Sequence, residues 1–105
     1  VNHLTFTAVV ATPGELRYTP AGLPAIELTL QHQSEVIEAG LKRRLDFQVD
    51  AVALGDTALL LVDVPLGATV DITGFIAPLR KASVRMIVHI QEVRVRYPGS
   101  ATVVV

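Results

Sequence analysis

The chain has no cysteine and no tryptophan, and only two tyrosines and three phenylalanines among its 105 residues. Lack of cysteine excludes a disulfide framework, a thiolate metal site and a cysteine nucleophile together. The three histidines (His3, His32, His89) are scattered and offer no metal-ligand spacing, so no metal is expected. No apolar run approaches the ~18 residues of a membrane span, and no charged-then-apolar leader opens the chain. A cytoplasmic protein with no membrane partner is therefore expected. Glycines stand singly, as turn and strand punctuation, so no glycine-rich phosphate loop is present. Ser34, Ser83 and Ser100 lack a G-x-S-x-G setting. No pair of carboxylates stands in polar company. Neither a catalytic residue nor a cofactor is expected, and the chain does not read as an enzyme.

What is present is a core. Half the residues are hydrophobic and 18% are charged, which excludes intrinsic disorder and suits one domain. That domain is expected over residues 1–97, with an apolar tail over 98–105. The net charge of −1 hides an asymmetry. Residues 1–75 hold four basic residues against nine acidic, a balance of −5, whereas residues 76–105 hold five against one, a balance of +4. Clustered cations in a near-neutral chain are compatible with a local polyanion site or with a merely solvated basic face.

Period-two alternation dominates. Leu4, Phe6, Ala8 and Val10 alternate with Thr5, Thr7 and Val9. Turns follow at Pro13-Gly14 and Thr19-Pro20-Ala21-Gly22. A second strand is expected at Ile26, Leu28, Leu30 and His32, then a polar loop or hairpin tip over 33–40. From 41 the apolar set Leu41, Leu45, Phe47 and Val49 shares its parity with Arg43. It places Phe47 toward the core and Lys42, Arg44, Asp46 and Gln48 on the opposite face. Val52 to Leu54 would prolong that strand. Asp56 reads as a helix N-cap before one or two turns at 57–61.

A fourth strand puts Val70, Ile72 and Ile76 inward and Asp71, Thr73 and Phe75 outward. A short basic loop over 77–83 carries Arg80 and Lys81. The last strand has Val84, Met86, Val88 and Ile90 inward, with Arg85, Ile87 and His89 outward. At Val93 and Val95 the apolar parity switches, which predicts a β-bulge near Gln91-Glu92. Strand count alone leaves an SH3-like barrel or small sandwich open. The helical insert favours an all-β, five-stranded Greek-key barrel of the OB type, with a short helical segment between strands three and four.

Single-strand binders on such barrels combine a basic groove with exposed rings on which bases stack. The expected DNA-binding residues are Arg17 in the first connection, Lys42 and Arg44 on strand three, Phe75 on strand four, Arg80 and Lys81 in the loop, and Arg85 beginning strand five. His32 lies on apolar parity and reads as a barrel-end histidine rather than a base. His89 lies outward beside Arg85, within reach of a ligand. Phe6 and Phe47 sit on core parity, so binding is expected to lean on charge.

Several stretches, in order and spacing, resemble the primosomal replication protein N (PriB) family, relatives of bacterial single-stranded-DNA-binding protein. They are Asn2-His3-Leu4, Pro20-Ala21-Gly22-Leu23-Pro24, Leu30-Gln31-His32-Gln33-Ser34, Glu38-Ala39-Gly40, Ile72-Thr73-Gly74-Phe75-Ile76 and Met86-Ile87-Val88-His89. The resemblance covers about residues 2 to 96. It implies a homodimer that binds single-stranded DNA and contacts a PriA-type helicase and other primosome proteins, helping to reload the replicative helicase at stalled forks. It also implies a chain without the acidic C-terminal tail of single-stranded-DNA-binding protein, and this one ends Ala101-Thr102-Val103-Val104-Val105. Arg17 matches a family lysine on the DNA face, Phe75 an aromatic and Arg85 a loop-end lysine, while Arg80 and Lys81 occupy a shortened lysine-rich loop. Leu41 stands where well-known members carry phenylalanine, Asp46 where they carry tryptophan and Gln33 where they carry arginine. The alternatives are a general single-stranded-DNA-binding protein and a protein–protein adaptor with little DNA affinity.

Overall fold

The computed structural model describes residues 1–96. The tail expected over 98–105 lies outside the described residues. The elements run β1 (Leu4–Thr12), β2 (Arg17–Tyr18), β3 (Pro24–Glu38), β4 (Leu41–Leu54), α1 (Asp56–Leu61), β5 (Thr69–Pro78) and β6 (Met86–Arg96). Five of these strands close a barrel in the order β1-β5-β6-β4-β3, with β1 returning to β3. The two-residue β2 adds to an edge of β3, within the first connection, where only turns were expected. All pairings are antiparallel except β4 with β6, where Ala51–Ala53 run alongside Val88–Ile90. The helix and β5 form the crossover that a parallel pair demands. This is the OB barrel that the strand pattern implied.

Alternation dictates what fills it. Ile26, Leu30, Leu61, Val10, Val70 and Ile72 are fully buried, each on the inward parity of its strand or helix. β1 closes the barrel by pairing on both sides: Leu4–Val9 pairs with β5 and Val9–Thr12 with β3, with a register shift between Val10 and Thr12. The side chain of Asn2 extends the β1–β5 ladder, donating to the Ile76 carbonyl at 2.7 Å and accepting from its amide at 3.1 Å. The expected bulge falls at Gln91: Thr73 opposes Glu92 while Gly74 opposes Ile90. The hydroxyl of Thr57 on α1 donates to the carbonyl of that extra residue at 3.0 Å.

Several local expectations are corrected. Residues 33–38 are strand, not loop, because β3 and β4 keep pairing from Ala25↔Leu54 out to Glu38↔Leu41. This outer ribbon has water on both faces, so nothing selects an apolar alternation. Cross-strand pairs support it instead, Arg43 with Glu38 at 2.7 Å and Lys42 with Glu35 at 3.9 Å. Phe47 keeps its parity but is 44% exposed, because it lies where β3 has already parted from β1. Ile76, Val84 and Met86, expected inward, are exposed, since they lie at or beyond the barrel's rim. Ile87, expected outward, is buried at 4% exposure. Asp56 is the first helical residue and not the cap; Gly55 occupies the cap position at φ 70° with no side-chain bond.

Candidate nucleic-acid interface

Side chains alternate across a strand, so residues of one parity on β3, β4, β5 and β6 share the barrel's outer surface. Register sets Phe75 beside His89, His89 beside Val52 and Val52 opposite Glu27. One step along lie Ala77 beside Ile87 and Thr29 opposite Asp50. Here a groove of about 460 Å³ is lined by Arg17 from β2, Glu27 and Thr29 from β3, Asp50 from β4, and Arg80 and Arg85 from the β5–β6 loop, with Leu28, Leu79 and Ile87 among its apolar members. Cations from two distant segments of the chain thus meet in one place. The loop is held by the Leu79 amide donating to the Arg85 carbonyl at 2.8 Å and the Ser83 amide to the Arg80 carbonyl at 2.9 Å.

The groove carries its own counter-charges. Arg17 pairs with Glu27 at 2.8 Å, and Arg85 pairs with Asp50. The Thr29 hydroxyl donates to the same aspartate at 3.4 Å. Among the described residues, Arg44, Arg80, Lys81 and Arg94 are the cations without an ion pair. Such exposed pairs are worth only about 0–1 kcal/mol, so a phosphate can displace either carboxylate at small cost.

Farther out on the same face the character changes. The amides of Gln31 and Gln33 both donate to Asp46, the latter at 3.2 Å. Two of the departures from the family pattern, Gln33 and Asp46, are therefore hydrogen-bonded partners: an amide–carboxylate pair stands where the resemblance implies an arginine and a ring. Lys42 and Arg44 lie beyond this point on the ribbon, separate from the groove.

The opposite face of the ribbon holds a ring ladder. Phe6 meets His32 edge-on with centroids 5.3 Å apart, and His32 meets Phe47 at 5.1 Å. His32 donates from Nδ1 to the Thr7 carbonyl at 2.7 Å, and its Nε2 meets the Ser34 hydroxyl at 2.8 Å. Both ring nitrogens are engaged, as a barrel-end structural histidine requires.

Comparison with known proteins bears on the family and the fold. A family model described as another single-strand binding protein family matches residues 2–92. A replication restart protein PriB of Bordetella pertussis is 53% identical over 100 residues, 95% of this chain and 92% of its own. The chain belongs to the PriB family. The solved structure of PriB from Ralstonia solanacearum superposes with a TM-score of 0.82 at 30% identity, covering 90% of this chain and 96% of that one. A deletion mutant of the single-stranded DNA binding protein from Thermus aquaticus shares the fold at 19% identity and a TM-score of 0.74, over 95% of this chain and 52% of its own.

Within the PriB frame, the structure brings Arg17, Arg80 and Arg85 together with Lys81 on the adjoining loop. Phe75 lies on the same outer surface, and Lys42 and Arg44 stand apart on the ribbon. Sequence reasoning missed the carboxylates Glu27 and Asp50. Their outward parity was readable, but their partners depend on register between distant segments. Among the described residues no group of three His, Asp or Glu is placed to hold a metal, and no helix is long and apolar enough to cross a membrane.

Proposed function

We propose that this chain is a non-catalytic, cytoplasmic primosomal protein that binds single-stranded DNA and contacts a PriA-type helicase and other primosome proteins, helping to reload the replicative helicase at stalled forks. The observation that carries the DNA half is the meeting of Arg17, Arg80 and Arg85 around one outer groove. Lys81 extends the positive field along the loop, Phe75 supplies a ring, and Lys42 and Arg44 form a second, weaker patch on the ribbon. The helicase contact is supported by membership of a family whose relatives are named for replication restart.

The ion pairs set what binding looks like. Each phosphate neutralised on a single strand contributes about −0.7 to the log–log salt slope. Arg44, Arg80 and Lys81 alone give a slope of about −2, and recruiting Arg17 and Arg85 from their carboxylates takes it to about −3.5. Fluorescence anisotropy on a labelled oligo-dT, titrated at several salt concentrations, reads both affinity and slope. Replacing Arg80, Lys81 and Arg85 together by alanine should abolish strand binding. A triple variant that binds DNA normally but no longer stimulates the helicase favours the adaptor reading, for which the Asp46 carboxylate on this face is the supporting feature.

A homodimer is part of the proposal. Leu4–Ala8 of β1 pairs with β5 alone, and β3 beyond Gln31 pairs with β4 alone, so two strand edges face an open notch. The notch, about 640 Å³, is lined by residues 5–9 and 31–34, with the half-exposed Phe47 close by. Unpaired edges beside apolar rings are what a second copy of the same chain covers. Sedimentation equilibrium should give a dimer at micromolar concentration, and a monomer there would overturn this part.

A further inference from the structure

Phe75 and His89 form one stacked unit on the outer face. Their ring centroids are 4.7 Å apart and their planes differ by 7°. That separation matches the spacing of neighbouring strands, about 4.8 Å. The rings therefore stack along the direction that runs from strand to strand, standing up from the sheet like two adjacent plates. Backbone chemistry holds them there. Gly74 opposes Ile90 at the bulge, and a Cβ on Gly74 would lie 1.8 Å from the carbonyl oxygen of His89. Only glycine lets β6 approach so closely, and this approach sets the histidine ring against Phe75.

Each plate has a second face. His89 turns its own toward β4, where the neighbour in register is Val52, a short side chain itself almost fully buried. The imidazole itself is only half-buried and stands beside that short side chain. Arg85, at the groove, lies in the loop just before β6, with the buried Ile87 between it and His89. A flat aromatic surface near a groove that carries guanidinium groups is a pairing that recognises a nucleotide, with the base on the ring and the phosphate on the guanidinium.

We infer that His89 is a DNA-contacting residue, its free face taking one unpaired nucleobase over Val52, with Phe75 as the backing ring and Gly74 as the positioning residue. The inference rests on the strand-binding reading above and adds a base-stacking site to a chain that has no tryptophan to supply one.

The test compares labelled oligo-dT with an abasic oligonucleotide of the same length, which keeps the phosphates and removes the bases. The intact chain should bind oligo-dT more tightly than the abasic strand. His89→Ala should lose about fivefold or more on oligo-dT and less than about twofold on the abasic strand. His89→Phe, which keeps a ring at the position, should restore oligo-dT binding. Equal loss on both strands, no loss on either, or failure of His89→Phe to restore binding overturns the inference and leaves strand binding standing. If the intact chain binds neither oligonucleotide, the strand-binding reading falls first and takes this one with it.

Discussion

The closed barrel and the β3–β4 ribbon are built from the same two strands and obey different rules. Inside the barrel, Leu28, Leu30, Ala51 and Ala53 are buried and every second residue points at a core. In the ribbon, Val36, Ile37 and Leu41 are exposed, and order comes from backbone pairing and ion pairs such as Arg43 with Glu38. A strand inside a barrel is specified by burial, whereas a strand outside it is specified by its partner and its turn. The outer face divides in the same way. Unpaired Arg80 and Lys81 lie at the loop end, and amide-held Asp46 at the ribbon end.

Matched substitutions break this comparison if it is wrong. Gly74→Ala forces a methyl into the His89 carbonyl and should destabilise the fold by about 3 kcal/mol or more, read by thermal unfolding. Gly40→Ala, at the ribbon tip with φ +77° and open space around it, should cost only about 1 kcal/mol. Leu30→Ala in the barrel should cost about 2–5 kcal/mol, against about 0.5 kcal/mol or less for Ile37→Ala in the ribbon. Equal costs in either pair would mean that the ribbon is part of the core. On the outer face, Asp46→Asn removes a carboxylate from the ribbon end and should raise affinity for oligo-dT by about twofold, measured by anisotropy.

The smallest effect expected concerns acid. The Thr7 hydroxyl donates to Asp71 at 2.7 Å and Arg96 lies at the same distance, and together they hold its carboxyl below the ordinary value of 3.8. A depressed folded-state pKa gives stability that is present above the unfolded value and lost as pH falls through the folded one. Unfolding followed by circular dichroism below about pH 4 should therefore steepen with Asp71 and flatten slightly in Asp71→Asn. An unchanged profile would show that this exposed pair contributes nothing.

The legible parts of the sequence were those where one face of a strand meets a core. Leu4 to Val10, Val70 to Ile72 and the parity switch at Gln91 all declare themselves through which side chains must leave water. Residues 33–38 do not, because water lies on both sides. Phe47 misled for a related reason: parity tells which face a ring is on, not whether the barrel has closed there. The candidate site was legible one residue at a time: Phe75 and Arg85 by outward parity, Arg17 and Arg80 by their places in connections. Their assembly was not. The Arg17–Glu27 pair needs the β2–β3 register, Arg85–Asp50 needs the parallel β4–β6 alignment, and the Phe75–His89 stack needs the bulge to be counted correctly.

The parallel pairing of β4 with β6 also bears on how quickly the chain reaches this shape. Ala51–Ala53 meet Val88–Ile90 across the helix and β5, so this pairing closes a long loop and carries its entropy cost. The β3–β4 hairpin closes over a short turn, so it forms with little loop entropy to overcome, ahead of the contacts that seal the barrel. Closure is then the late and slow event, and until it happens β6 presents an unsatisfied edge. The open edge of β6 is exposed for as long as closure takes, and the early β3–β4 hairpin shortens that interval by leaving fewer strands to be placed.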